Sequence, residues 1–117
     1  MGVTYIEGTV TGSNAKQEAV RFLVDSGAQY TLLPEATWKA IDLTPKRRQA
    51  FSLVDGTVIE RDMSECILTL PQGEGHTPVI LGEPGDDQPL LGVITLEELG
   101  LVLNPFSRTL QPMQMML

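Results

Sequence analysis

The residues whose types and spacing could do chemistry are Asp25-Ser26-Gly27. The apolar run Phe22-Leu23-Val24 delivers a carboxylate into a tight polar turn, where glycine permits close backbone approach and the serine hydroxyl can bond across. A carboxylate so placed can accept or return a proton. The same three residues also make an ordinary surface turn, so their meaning depends on their surroundings. Other candidates read more plainly. His76 lies in Gly-Glu-Gly-His-Thr-Pro, a segment read as an exposed loop, with no cysteine or second histidine to share a metal. Asp86-Asp87 lacks the spaced oxygen ligands of a calcium loop and reads as a solvated turn. Glu97 and Glu98 are helix neighbours pointing to different faces, so they cannot form a carboxylate pair. Cys66, the only cysteine, allows no intrachain disulfide, cannot by itself make a zinc site, and fits a reducing compartment. No metal or organic cofactor is implied.

The elements that must position Asp25 follow from periodicity and turn residues. Val3 to Val10 alternates as a strand, Gly12-Ser13-Asn14 is a turn cluster, and Glu18 to Val24 returns as a second strand of a β-hairpin. Tyr30 to Leu33 is a short β-prone run ended by Pro34. Residues 34–41 read as a short helix with proline in its first turn and with Trp38 and Ile41 on one side. Gln49 to Val54 and Thr57 to Met63 flank Asp55-Gly56, which suits a two-residue hairpin turn. Ser64 to Leu70 extends the return strand, Thr77 to Leu81 makes another, and residues 82–89 form a polar loop. After Leu90-Leu91-Gly92-Val93, Thr95 can cap a second short helix that Gly100 ends, and Leu101 to Leu103 resumes as a strand. The C-terminal stretch Thr109 to Leu117 is apolar, and Pro112 places its strands at an edge. Many short strands and two short helices make the chain mainly β.

Composition bounds the function classes. A chain of 117 residues, 42% hydrophobic and 20% charged, can bury a core as one domain spanning 1–117. A net charge of -7 disfavours binding to a phosphate backbone, and Lys46-Arg47-Arg48 reads as a solvated loop or strand end rather than a basic patch. No run approaches the length of a membrane span, and the N-terminus lacks a basic segment followed by an apolar one, which makes the cytoplasm the expected location. Met1-Gly2 opens like a myristoylation signal, but Ile6 stands where a serine or threonine is required.

The segment from Phe22 to Ala28, followed by Thr31-Leu32-Leu33-Pro34, resembles the active-site loop of the retropepsin-like, retroviral-type aspartic peptidases: an apolar run, Asp-Thr/Ser-Gly-Ala, then a short strand. Leu90-Leu91-Gly92, with Thr95 to Leu101 behind it, resembles the paired-apolar-plus-glycine motif that precedes the family's C-terminal helix. Between the two, the Gln49 to Met63 hairpin stands where the family places a flap over the substrate cleft. The resemblance covers nearly the whole chain and is closest to small stand-alone prokaryotic members. It implies a closed retropepsin-like acid-protease barrel with a flap hairpin and one or two short helices. It implies catalysis by Asp25, with Ser26 bracing two such loops and Gly27 with Ala28 lining the substrate backbone. Leu53, Val54, Asp55, Gly56 and Thr57 would cover a peptide or protein substrate, and Leu91 would complete the substrate-binding set. Two carboxylates are needed, one as general base on a water and one protonated, and a chain with one motif obtains the second from an identical subunit. Two carboxylates in contact cannot both ionise, so the pair keeps one proton and activity is favoured at mildly acidic pH. The N-terminal strand near Val3 and the Leu117 end would interleave with the partner's termini.

The sequence departs from the retroviral pattern at Gln29, Tyr30 and Val93, where acidic residues and an arginine would form a buried polar brace. Asp55 near the flap tip adds negative charge where retroviral flaps are glycine-rich, which favours basic or polar substrates. Two other classes compete: a catalytically silent homodimeric peptide-binding or assembly module on the same fold, and a structural β-domain in which Asp25 only caps a turn.

Overall fold

The computed structural model describes residues 3–25 and 27–114. Among the described residues, nine strands and two short helices follow one another as β1 (Tyr5–Thr11), β2 (Gln17–Val24), β3 (Thr31–Leu33), α1 (Glu35–Ala40), β4 (Arg47–Ser52), β5 (Val58–Leu70), β6 (Gly73–Leu81), β7 (Leu90–Leu91), α2 (Val93–Glu98), β8 (Leu101–Asn104) and β9 (Thr109–Pro112). The chain is mainly β, as the sequence predicts.

Seven strands form one sheet in the order β1-β2-β7-β3-β6-β5-β4. A further pairing of β1 with β5, at Thr9↔Thr69, Val10↔Leu68 and Thr11↔Ile67, closes the first six into a ring and leaves β4 projecting beyond it. Period-two alternation decides what fills the ring. Val20, Phe22 and Val24 of β2 turn inward, as do Cys66, Leu68 and Leu70 of β5 and Val79 and Leu81 of β6. They meet Val10, Leu33, Ile41 and Leu91 in one cluster, and Leu96 and Leu101 extend it toward α2 and β8. Each such large side chain, fully buried, contributes about 1.5–3 kcal/mol.

Two corrections concern β-structure. The segment holding His76 is strand, not loop: β6 begins at Gly73 and pairs with β5 along its whole length, with His76 opposite Ile67. The long antiparallel partner overrides the breaking tendency of Gly73, Gly75 and Pro78. The β4–β5 hairpin closes through three residues, not two. Leu53 N–H donates to Thr57 O at 2.7 Å and Gly56 N–H to Leu53 O at 2.9 Å. Gly56 alone of the pair takes a positive φ, +88°, so a bulged three-residue loop replaces the tight turn read from Asp55-Gly56.

Helix α1 starts directly after Pro34, which precedes it rather than sitting in its first turn. Trp38 packs against the core beside the buried Ile41, and its indole N–H donates to Gly82 O at 2.9 Å. Helix α2 ends at Gly100, whose φ of +66° is the left-handed stop that glycine provides. Beyond it, β8 and β9 pair as a separate two-stranded sheet. Leu117, expected to interleave with a partner, lies outside the described residues, and Val3 is exposed. No helix among the described residues is long and apolar enough to cross a membrane.

Candidate active site

Strands β2 and β3 are consecutive in sequence but not neighbours in the sheet, because β7 lies between them. β2 runs parallel to β7 (Leu23↔Leu90, Val24↔Leu91), while β3 runs antiparallel to it (Leu32↔Leu90). The loop 25–30 must therefore cross over the end of β7, and this crossing presents Asp25. Its backbone is held from both sides. Val24 N–H donates to Thr4 O at 2.8 Å, Leu23 N–H to Pro89 O at 2.9 Å, and Asp25 N–H to Leu91 O at 3.2 Å. Ala28 N–H turns back to Asp25 O at 3.0 Å, and the Asp25 carboxylate accepts Gly27 N–H at 2.9 Å through Oδ1. Asp25 itself is half-buried.

Where β7 passes beneath the crossing, the two backbones nearly touch. A Cβ at Gly92 would lie 2.4 Å from Tyr30 C and 2.6 Å from Tyr30 O, so only glycine fits. That approach lets Val93 N–H reach Ala28 O and Ile94 N–H reach Gln29 O, both at 2.9 Å. The start of α2 is thereby bonded to the Asp25 loop.

A buried chain of hydroxyls lies under this junction. Gly92 N–H donates to Thr31 Oγ1 at 3.1 Å, Thr31 and Thr95 hydroxyls meet at 2.6 Å, Thr95 and Thr77 at 2.7 Å, and Thr77 Oγ1 donates to Pro78 O at 3.2 Å. One proton arrangement satisfies every member: each hydroxyl accepts from the preceding group and donates to the next. Thr31, Thr77 and Thr95 are almost completely buried, so these bonds join β3, β6 and α2 out of contact with water. Thr95 therefore sits inside α2, which Gly92 precedes, and does not cap the helix as its position suggests.

A cavity of about 470 Å³ opens beside the loop. Gly27, Ala28 and Tyr30 form one wall, Phe51, Leu53 and Ile59 of the hairpin another, and Leu32, Ile80 and Leu90 the apolar floor. Tyr30 also holds the hairpin down, meeting Phe51 edge-to-face with centroids 5.9 Å apart. Of the residues expected at the substrate, Gly27, Ala28 and Leu53 line this cavity. Val54, Asp55, Gly56 and Thr57 form the exposed hairpin tip, where Thr57 N–H donates to Asp55 Oδ1 at 2.9 Å and holds that carboxyl below its ordinary range. Leu91 is fully buried in the core; Leu90 faces the cavity instead. Ser26 lies outside the described residues.

Asp86 is not a solvated turn residue. Its Oδ2 accepts Arg61 Nε at 2.8 Å and the Glu83 N–H at 2.8 Å, and its Oδ1 accepts Arg61 Nη2 at 3.3 Å. The Arg61 hydrogen bond is the main reason its carboxyl is held below the ordinary range, against an opposing contribution from burial. Arg61 and Asp86 line the cavity, tying the hairpin's return strand to the loop 82–89. Sequence spacing carries no signal for this pair, since its members lie on unrelated elements. The threonine chain left a faint one, a hydroxyl at Thr95 within an otherwise apolar turn.

An aspartate on a loop that crosses the end of a strand lying between its two flanking strands, a covering hairpin and a cleft between them are consistent with the aspartic protease class of fold. A family model described as "gag-polyprotein putative aspartyl protease" matches residues 10–98, from the first strand through the second helix. The chain belongs to this family of retroviral-type aspartyl proteases. No curated protein matches it.

Proposed function

We propose that this chain, as one peptidase domain over 1–117, is a subunit of a homodimeric aspartic endopeptidase whose catalytic pair is Asp25 from each copy. The observation that carries the reading is the seat of Asp25: a half-buried carboxylate on a crossing loop bonded on both sides, next to a cleft roofed by a hairpin. A second carboxylate is required, and a two-fold axis through the Asp25 loops supplies it.

An extended peptide lies between Gly27-Ala28 and the hairpin residues Leu53, Val54, Asp55, Gly56 and Thr57. The ionised Asp25 takes a proton from a water held between the pair, and the water oxygen bonds to the scissile carbonyl carbon. The protonated Asp25 donates to the carbonyl oxygen. The carbon–nitrogen bond of the resulting diol then breaks as one Asp25 gives its proton to the amide nitrogen and the other takes a proton from a diol hydroxyl, which becomes the carbonyl of the carboxyl product, so the pair again holds one proton. Water is the nucleophile, so the residues themselves supply acid and base. Ser26 braces the two loops, and Leu91 supports Asp25 through its carbonyl.

The test is cleavage of a diverse peptide library between about pH 4 and 7, comparing wild type with Asp25→Asn, with sedimentation of both. A dimer that cleaves, and an Asp25→Asn dimer slower by about 10³-fold or more, is the expected result. A folded dimer without cleavage leaves the peptide-binding module as the better reading, and a monomer removes the mechanism.

A further inference from the structure

The cleft is apolar on its floor, with Leu32, Ile80 and Leu90, and at Ile59 of the hairpin wall, and carries two charged residues, Arg61 and Asp86, in its lining. Their side chains are only 17% and 23% exposed. Such a pair, in contact with a substrate space, must be satisfied internally or by what enters. Asp86 is satisfied: three donors reach its two oxygens. Arg61 is not. Of its five N–H groups, Nε and one on Nη2 go to Asp86, and one on Nη1 goes to Glu60 O at 2.8 Å. Glu83 Oε1, 3.7 Å from Nη1, is close enough for ionic attraction but too far for a hydrogen bond. Among the described residues, one N–H on each terminal nitrogen has no partner and remains for a ligand.

The charges narrow the ligand further. Arg61 with Asp86 and Glu83 sums to one negative charge, so an incoming carboxylate meets net repulsion and a desolvation cost. An incoming cation meets the guanidinium and finds the Asp86 oxygens already engaged. What fits is an apolar stem over the floor and an uncharged acceptor at its tip.

We propose that Arg61, locked in place by Asp86, is a specificity-determining residue of the cleft and selects glutamine over glutamate, lysine and leucine at one substrate position flanking the cleaved bond. This rests on the peptidase reading above. Asp86 acts as a positioning residue: it fixes the guanidinium and supplies the charge that rejects acids.

The experiment is cleavage profiling with the full chain, using matched peptides that carry Gln, Glu, Lys or Leu at each position around the cut. Wild type is expected to cleave the Gln peptide about tenfold better in kcat/KM than the Leu or Glu peptide at one position, the worth of a hydrogen bond to a charged donor. Arg61→Met should bring the Gln:Leu ratio to about one. Asp86→Asn should raise the Glu:Gln ratio by about tenfold, a direction that mere loosening of the fold does not produce. Should Arg61→Met fail to fold, the Asp86→Asn reversal decides the matter alone. Cleavage with no Gln preference, or with ratios unmoved in the variants, overturns this inference and leaves the peptidase standing. No cleavage dependent on Asp25 overturns both.

Discussion

Replacing Thr95 by valine keeps the shape of the side chain and deletes one hydroxyl. In the structure that hydroxyl joins Thr31 at 2.6 Å to Thr77 at 2.7 Å, and Thr95 is fully buried. Valine leaves the Thr31 O–H without an acceptor, while Thr77 keeps its bond to Pro78 O. A single buried donor without a partner costs about 1–3 kcal/mol. At this chain length a loss of 1 kcal/mol lowers the melting temperature by about 4 °C, so Thr95→Val should melt about 4–12 °C below wild type. Thr95→Ser, which keeps the hydroxyl and loses one methyl, should cost about 1 kcal/mol. Hydrogen exchange separates the two causes. The Gly92 amide donates into the chain at Thr31, so its protection should fall in Thr95→Val and hold in Thr95→Ser. A valine variant that melts with wild type, with the Gly92 amide equally protected, would show that the hydroxyl chain does not hold the loop, and the reasoning would fail.

Gly92→Ala should be far worse, at more than about 3 kcal/mol or outright failure to fold, because its Cβ meets Tyr30 backbone at 2.4 Å; the soluble yield and melting curve check it. The lowered carboxyl of Asp86 makes its bond with Arg61 a stabilising contribution at pH values above the ordinary carboxylate value of 3.8, lost as pH falls through the lower folded value. Acid titration of stability should accordingly be steeper below about pH 4 in wild type than in Asp86→Asn, and parallel curves would contradict the pair's role. Burial pushes the Cys66 thiol up to about 12, so iodoacetamide at about pH 8 should leave it unmodified in the native protein and label it after unfolding.

The parts of the fold legible in the sequence were those encoded locally. Val20, Phe22 and Val24 announce a strand that buries one face and ends at Asp25, and the glycine at 56 marks a hairpin end, although not the number of residues in its loop. His76 was misplaced because glycine and proline around it speak for a loop, and the strand exists through its pairing with β5. Around the site, the Asp25 loop and the covering hairpin could be read from order and spacing. Its supports could not. Thr31, Thr77 and Thr95 are unremarkable singly and meet only when three elements fold together, and Asp86 looks like turn filler until Arg61 arrives from another strand.

The crossing that seats Asp25 also sets the order in which a growing chain can complete it. Asp25 emerges early, yet the bonds that fix its loop come from Leu91 and Val93, and the hydroxyl beneath it belongs to Thr95, 64 residues beyond Thr31. Such long loops must close before their contacts reward them, which makes this corner of the molecule slow to form. During synthesis the carboxylate is therefore present long before it is aimed. A nascent chain that has not yet reached Thr95 carries its acid group without the bonds that seat it.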